Sequence, residues 1–339
     1  MSSSSDYGLL FKRGNNAAVR VNTLSNGKSV DISITERGSD VYYGIMSVMG
    51  ATAIFILIAS AFKSRSERIF FYMTAAINFT ACIAYYSMGS NVGWTPIDVE
   101  WRRTHDHGVG GINREIFYAR YVDWFITTPL LIIDLLLTAG MPWPTIAWAI
   151  FMDEIMVVTG LLGALVHSRF KWGFYGFGCA AMFYVFWIIA FEGRKYALRL
   201  GRDVHRVYLL CGVLTLVVWL LYPICWGVSE GGNVITPDSE AVFYGILDLC
   251  AKPLFSIFLL VGHWRIDPAR MGMRLRDYDQ EPDHFGRKDY KDEEKHGAGR
   301  HGVMNGTTDE SATGMSTATS HGAANGTAAG NTRGAETTV

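Results

Sequence analysis

Seven stretches of about twenty mostly apolar residues, at 41–63, 69–90, 115–138, 144–166, 172–192, 204–228 and 239–264, constrain this chain more than any other feature. A helix needs ~20 apolar residues to cross the ~30 Å hydrocarbon core of a bilayer. Only helices and closed barrels keep every backbone amide bonded there. None of the seven stretches alternates polar and apolar residues with a period of two, which argues against a barrel. The expected fold is therefore all-α, a bundle of seven transmembrane helices. Residues 41–266 would form the membrane domain, 1–40 a polar extracellular segment and 267–339 a cytoplasmic tail. The tail ends in "GTTDESATGMSTATSHGAANGTAAGNTRGAETTV", rich in Gly, Ala, Ser and Thr, with too few large apolar side chains to build a core.

Charged residues make up only 18% of the chain, and they gather at its ends and between the apolar blocks. A formal net charge of −1 argues against a nucleic-acid partner. Cys82, Cys179, Cys211, Cys225 and Cys250 all lie within apolar blocks, where they read as small hydrophobes and not as a disulfide framework or zinc site. The opening "MSSSSDYGLLFKRG" lacks the apolar core of a signal peptide, so the first span is expected to direct insertion itself. An odd number of spans puts the termini on opposite sides. Loops on one side carry Lys63, Arg65, Arg68, Arg194, Lys195, Arg199, Arg202 and Arg206, followed by Arg265, Arg270, Arg274 and Arg276 beyond the last span. The other side carries Arg102, Arg103, Arg114, Arg169 and Lys171. Inner loops are the richer in Lys and Arg, so the amino terminus is expected outside and the carboxy terminus in the cytoplasm.

Ionisable residues inside the spans narrow the reading, because a charge at the bilayer centre costs ~2.5–3.5 kcal/mol even on insertion scales. The last span contains "ILDLCAKPLF", with Asp248 and Lys252 spaced i, i+4 on one helix face. An ion pair alone would account for the lysine; so would a Schiff base, since a desolvated amine condenses with carbonyl compounds. Pro253 removes a backbone donor and crowds the carbonyl of Leu249, so a local distortion beside the lysine is expected. The third span reads "ARYVDWFITTPLLIIDLLL". Its Asp123 and Asp134 are eleven residues apart, which returns them to the same face at ~16 Å separation along the axis. Arg120 lies one turn before Asp123 and Thr127 one turn after. Trp219, Tyr222 and Trp226 of "WLLYPICW" form a stripe at i, i+3, i+7. Such a stripe is commonly packing; together with Trp124 and a central lysine it also makes a slot for a flat conjugated ligand. In the outer loop "WRRTHDHGVGGIN", His105 and His107 read as a solvated turn in preference to a metal site.

Taken in order, "RYVDWFITTPLLIIDL", "DEIMVVTG", "WLLYPICW" and "LDLCAK" resemble the microbial (type 1) rhodopsins, and most closely their fungal branch, over about residues 41–266. That resemblance implies a seven-helix bundle holding all-trans retinal as a protonated Schiff base on Lys252. Asp123 would be primary counterion and proton acceptor, Asp248 the second counterion, and Arg120 would complete the cluster. Asp134 matches the cytoplasmic proton donor, and Thr127 completes an Asp–Thr–Asp signature associated with outward proton pumps. Tyr85 and Tyr222 match the pair that bonds the last helix's aspartate. Trp124, Thr128, Trp219 and Trp226 would line the polyene, with Met156 and Gly160 near its ring. Asp153 matches a structural acid; its neighbour Glu154 has no assigned role. Glu230 and Glu240 resemble the outer glutamates that release protons. Phe174 and Tyr175 stand where many members place tryptophan, which leaves that wall open. The implied function is a light-driven outward proton pump, a transporter and not an enzyme, in the plasma membrane, with protons and membrane lipid as partners. Homo-oligomers and a signalling partner for the tail are compatible with this. The rival reading is a slow-photocycle sensory rhodopsin; a receptor for a diffusible ligand is a more distant one. The presence of Asp134 favours the pump.

Overall fold

The computed structural model describes residues 16–63, 68–103 and 108–272. Residues 1–15, His105, His107 and the tail from 273 onward, with the expectations attached to them, lie outside the described residues. Seven helices long and apolar enough to cross a membrane follow one another: α1 (Glu36–Ser60), α2 (Ile69–Gly89), α3 (Tyr118–Thr138), α4 (Trp143–Leu165), α5 (Lys171–Leu200), α6 (Arg202–Gly231) and α7 (Pro237–His263). The chain is an integral membrane protein. Strands β1 (Thr95–Asp98) and β2 (Asn113–Ile116) pair antiparallel between α2 and α3, with Thr95 opposite Ile116 and Asp98 opposite Asn113. A short helix, Ala18–Val21, precedes α1, and a 3₁₀ turn, Pro268–Met271, follows α7.

Each helix packs on its neighbours in sequence, and α7 returns to α1, which closes a ring. Helix α3 also reaches α6 across the middle. The surface is inverted relative to a water-soluble protein. Phe55, Phe79, Phe177 and Val261 point outward, while Arg120, Asp123, Asp134, Asp248 and Lys252 are buried. Lipid makes the first arrangement favourable, and the ring interior accommodates the second. One core cluster, around Tyr42, Tyr85, Trp94 and Phe117, fills the end that carries the hairpin. Another, around Ile132, Leu136, Val185 and Leu259, fills the bundle beyond it.

Helix boundaries differ from the apolar blocks where local chemistry overrides hydropathy. Helix α1 starts at Glu36, ahead of residue 41, because the Thr35 hydroxyl accepts the Arg37 N–H at 3.2 Å and so caps a helix end that would otherwise be unsatisfied. Glu36 adds a negative charge to the positive end of the helix dipole. Helix α5 continues to Leu200, past residue 192, through a π turn at Ile188–Gly193. It stops at Gly201, whose φ of +124° is open only to glycine at little cost. In α7 the distortion expected beside Pro253 is a π turn spanning Cys250–Leu254. Proline cannot supply the donor that a regular α-turn needs, and the wider turn accommodates its ring.

The amino-terminal arm is fastened across the hairpin end. Asn22 donates to the Ser90 carbonyl at 2.7 Å, and Asp31 accepts the Ile112 N–H at 2.8 Å. Thr35 donates both its N–H (2.8 Å) and its hydroxyl (2.5 Å) to Asp238 at the start of α7.

Candidate functional site

The site begins at Lys252, which the π turn of α7 holds in the bundle interior. Its Nζ lies 2.5 Å from Asp123 Oδ2 on α3 and 3.2 Å from Asp248 Oδ2 one turn earlier on α7. Tyr85 of α2 donates its hydroxyl to Asp248 Oδ2 at 2.7 Å, and Tyr222 of α6 donates to Asp248 Oδ1 at 2.5 Å. Asp248 is thus bonded on both oxygens, whereas Asp123 Oδ1 is buried with no partner among the described residues. One amine between two buried carboxylates is costly to assemble, because desolvation offsets much of the attraction.

From this amine a slot-shaped cavity extends into the bundle, with about 110 Å³ of room for the centres of water-sized spheres. Trp124, Trp219, Tyr222 and Trp226 wall it, and Met156 and Gly160 lie along α4. The i, i+3, i+7 stripe of α6 therefore faces the slot as a unit, and Thr127 and Thr128 edge it. Thr127 gives its hydroxyl to the backbone oxygen of Asp123 at 2.8 Å, and Thr128 bonds Asp153 Oδ2 at 2.6 Å. Tyr85 does not line the slot; it stands behind Asp248. In the wall left open by the sequence, Tyr175 lines the slot and Phe174 does not. The indole N–H groups of Trp124 and Trp226 have no partner among the described residues. Glu154 is half-buried, with Oε2 unpartnered, and nothing in the structure gives it a role.

Arg120 departs from the sequence reading. It forms no ion pair with Asp123 or Asp248 among the described residues; its guanidinium turns to the hairpin end. Nη1 meets Glu240 Oε1 at 2.6 Å and Glu230 Oε1 at 3.3 Å, and Nη2 donates to the Tyr42 hydroxyl at 2.8 Å. The cause lies in two glutamates that α6 and α7 bring over the slot's outer end. Glu230 sits in the π turn Gly227–Gly231, and its Oε2 accepts from Tyr121 at 3.0 Å and Tyr244 at 3.1 Å. Arg114 on β2 adds a second guanidinium, with Nη2 2.7 Å from Glu240 Oε2 and Nη1 bonded to Asn233 Oδ1 (2.9 Å) and the Ile235 carbonyl (2.7 Å). Removing one member of such a buried pair leaves uncompensated charge and broken hydrogen bonds. Arg114→Ala should cost about 3–5 kcal/mol, seen as a lower denaturation midpoint in detergent, whereas Arg20→Ala, at an exposed position, should stay within about 0.5 kcal/mol.

On the other side of the lysine the surroundings are drier. Asp134 is fully buried, and neither carboxyl oxygen has a hydrogen-bond partner among the described residues. A lone buried charge would be very costly, so the protonated carboxyl is the form such a place accommodates. One turn further, Thr138 donates to the Asp134 backbone oxygen at 2.7 Å, and its Oγ1 lies 3.2 Å from His263 Nε2. His263 also stacks on Phe70, with ring centroids 4.4 Å apart. Between lysine and this end, Ser256 donates to the Lys252 carbonyl at 2.7 Å, and Asn78 donates to Ser256 at 2.9 Å.

Sequence reasoning missed Arg114, Tyr42, Tyr121, Tyr244, Asn78, Ser256 and His263. His263 was within reach, since it follows Lys252 by the same eleven residues that separate the two acids of α3. Arg114 was not, because only the strand register and the fold of the 229–236 turn bring it to Glu240.

A comparison with known families matches residues 39–266 to the family described as bacteriorhodopsin-like protein. The opsin-like protein carO of Fusarium fujikuroi is 57% identical over 271 residues, which cover 80% of this chain and 88% of that protein. Among solved structures, the light-driven proton pump LR (Mac) from Leptosphaeria maculans superposes with a TM-score of 0.65 at 32% identity, covering 70% of this chain and 100% of that one. The light-driven proton pump rhodopsin CsR from Coccomyxa subellipsoidea gives 0.65 at 34% identity, covering 68% and 99%.

Proposed function

Since the chain belongs to the bacteriorhodopsin-like family, we propose that it is a light-driven outward proton pump, a transporter with all-trans retinal attached to Lys252. The observation that carries this reading is a buried amine with one carboxyl, Asp123, at 2.5 Å and a second, Asp134, isolated in apolar surroundings on the same helix. The slot suits the cofactor. It is narrow, walled by indole and phenol rings, closed by Met156 and Gly160, and it ends on the one buried amine of its lining. Bound there, retinal would supply a light-triggered isomerisation that changes the acidity and the heading of the proton-bearing nitrogen.

The chain's residues do the rest. Asp123 Oδ2 takes the proton from the Lys252 nitrogen across 2.5 Å, and its unpartnered Oδ1 is free to pass a proton on. Asp248, fixed by the hydroxyls of Tyr85 and Tyr222, remains the standing negative charge. Asp134 holds a proton until the nitrogen is bare and then donates it from the opposite side. Glu230 and Glu240 line the route at the hairpin end, with Arg120 reaching towards them and away from the lysine. In this reading the hairpin faces outside, the carboxy terminus is cytoplasmic, and the plasma membrane is the site of action.

Illuminated cells carrying the protein should acidify an unbuffered medium, and a coloured protein that produces no pH change would overturn the pump. Asp134→Asn should slow recovery of the dark state by roughly 100-fold, the usual worth of a positioned proton donor, measured as the decay of the flash-induced absorbance change. A wild-type cycle lasting seconds in place of milliseconds would favour a photosensor.

A further inference from the structure

Three carboxyls are buried together at the hairpin end, Glu115, Glu230 and Glu240, and they are not equally provided for. Glu240 is shared by two guanidiniums, Arg114 and Arg120. Glu230 accepts from one guanidinium and two phenol hydroxyls, and Lys171 Nζ approaches its backbone oxygen at 3.4 Å. Glu115, on β2 and only 1% exposed, has a single hydrogen bond, from the Ile34 N–H to Oε2 at 2.9 Å. Its Oε1 is buried with no partner among the described residues. The terminal nitrogens of Arg114 bond Asn233, Ile235 and Glu240, and those of Arg120 bond Glu230, Glu240 and Tyr42, so neither guanidinium bonds this carboxyl.

We propose that Glu115 stores a proton in the dark protein and is the group that gives it to the outside medium when Asp123 becomes protonated. This rests on the pump reading, and it assigns the stored proton to Glu115, with Glu230 and Glu240 staying charged. The groups facing Glu115 are Arg114 on its own strand, Glu240 and Asp238 on α7, and Tyr42 on α1. Burial is the largest influence and pushes its carboxyl up to about 8; the Ile34 bond and Arg114 oppose the rise, while Glu240 and Asp238 add to it. The acid is therefore neutral at neutral pH, yet close enough to release that a modest change of local charge would free its proton.

Such a change is available. When the Lys252 proton reaches Asp123, a negative charge disappears from the bundle interior, and every remaining acid nearby binds its own proton less firmly. The O–H bond at Glu115 Oε1 breaks and the proton passes to water. The proton held on Asp123 later travels past Arg120 to refill Glu115, so one proton leaves per turnover.

The test is an infrared titration of unilluminated pigment between about pH 6 and about pH 10, a window spanning a carboxyl of this kind. A protonated-carboxyl band should vanish as pH rises through about 8, and it should be absent at every pH in Glu115→Gln. Glu115→Asp should keep the band at a shifted frequency, which guards against a Gln variant that fails to form pigment. Persistence of the band in Glu115→Gln together with its loss in Glu230→Gln would overturn the proposal. A second arm follows proton appearance after a flash with a pH-sensitive dye. Release should be delayed by at least about tenfold in Glu115→Gln, the least expected from removing a placed proton donor, and unchanged timing would count against the proposal. The dark band reports on Glu115 even if the protein pumps nothing, so failure of the pump and failure of the storage site give different results.

Discussion

Lys252→Ala protein mixed with all-trans retinal stays colourless, while the wild type develops a visible band. The amine is the only one lining the slot, and no other nucleophilic nitrogen is there to replace it. The change also leaves Asp123 and Asp248 without their shared cation, a loss of about 3–5 kcal/mol when a buried pair is broken on one side. Absence of colour could then reflect absence of fold. Lys252→Arg separates the two: it keeps a positive charge between the carboxylates but offers no amine to a carbonyl compound. Both variants should be colourless, and the Arg variant should retain wild-type helix content by circular dichroism. A visible band in either variant would remove the chemical premise of the pump.

The second large effect is at Asp123. In Asp123→Asn the slot and Lys252 are untouched, so the pigment still forms, but the atom that receives the proton at 2.5 Å is gone. Net transport should fall to about 1% of wild type or less, the scale on which a positioned proton acceptor contributes. The measurement is the initial rate of medium acidification per mole of pigment. Asp123→Glu restores a carboxyl on a longer stem and should recover part of that rate. Asn at this position pumping as fast as Asp would mean that the proton leaves the amine by another route.

What the sequence disclosed follows from periodicity. Seven apolar runs set the number of helices, and fixed angular steps along a helix put Asp248 beside Lys252 and Trp219, Tyr222 and Trp226 on one wall. Pro253 announced the distortion at the lysine, since a missing donor is visible in the residue itself. The π turn at Ile188–Gly193 has no such residue and was not legible. The direction of Arg120 was hidden for another reason. A long side chain one turn from Asp123 can swing either way, and the choice is made by Glu230 and Glu240, whose approach depends on the turn 229–236 and the strapped hairpin. Glu115 was likewise obscured, because its isolation is a property of what its neighbours bond, not of its place in the chain.

The π turn Cys250–Leu254 also bears on how the protein would survive repeated use. Over this stretch α7 lacks the even rungs that stiffen the rest of its length, because Pro253 donates nothing. The lysine is thus mounted on the most compliant section of its helix. A pigment that lurches with each photon would strain a joint already relaxed, and the recoil dies out there before it reaches the tyrosine clamps that keep Asp248 in register.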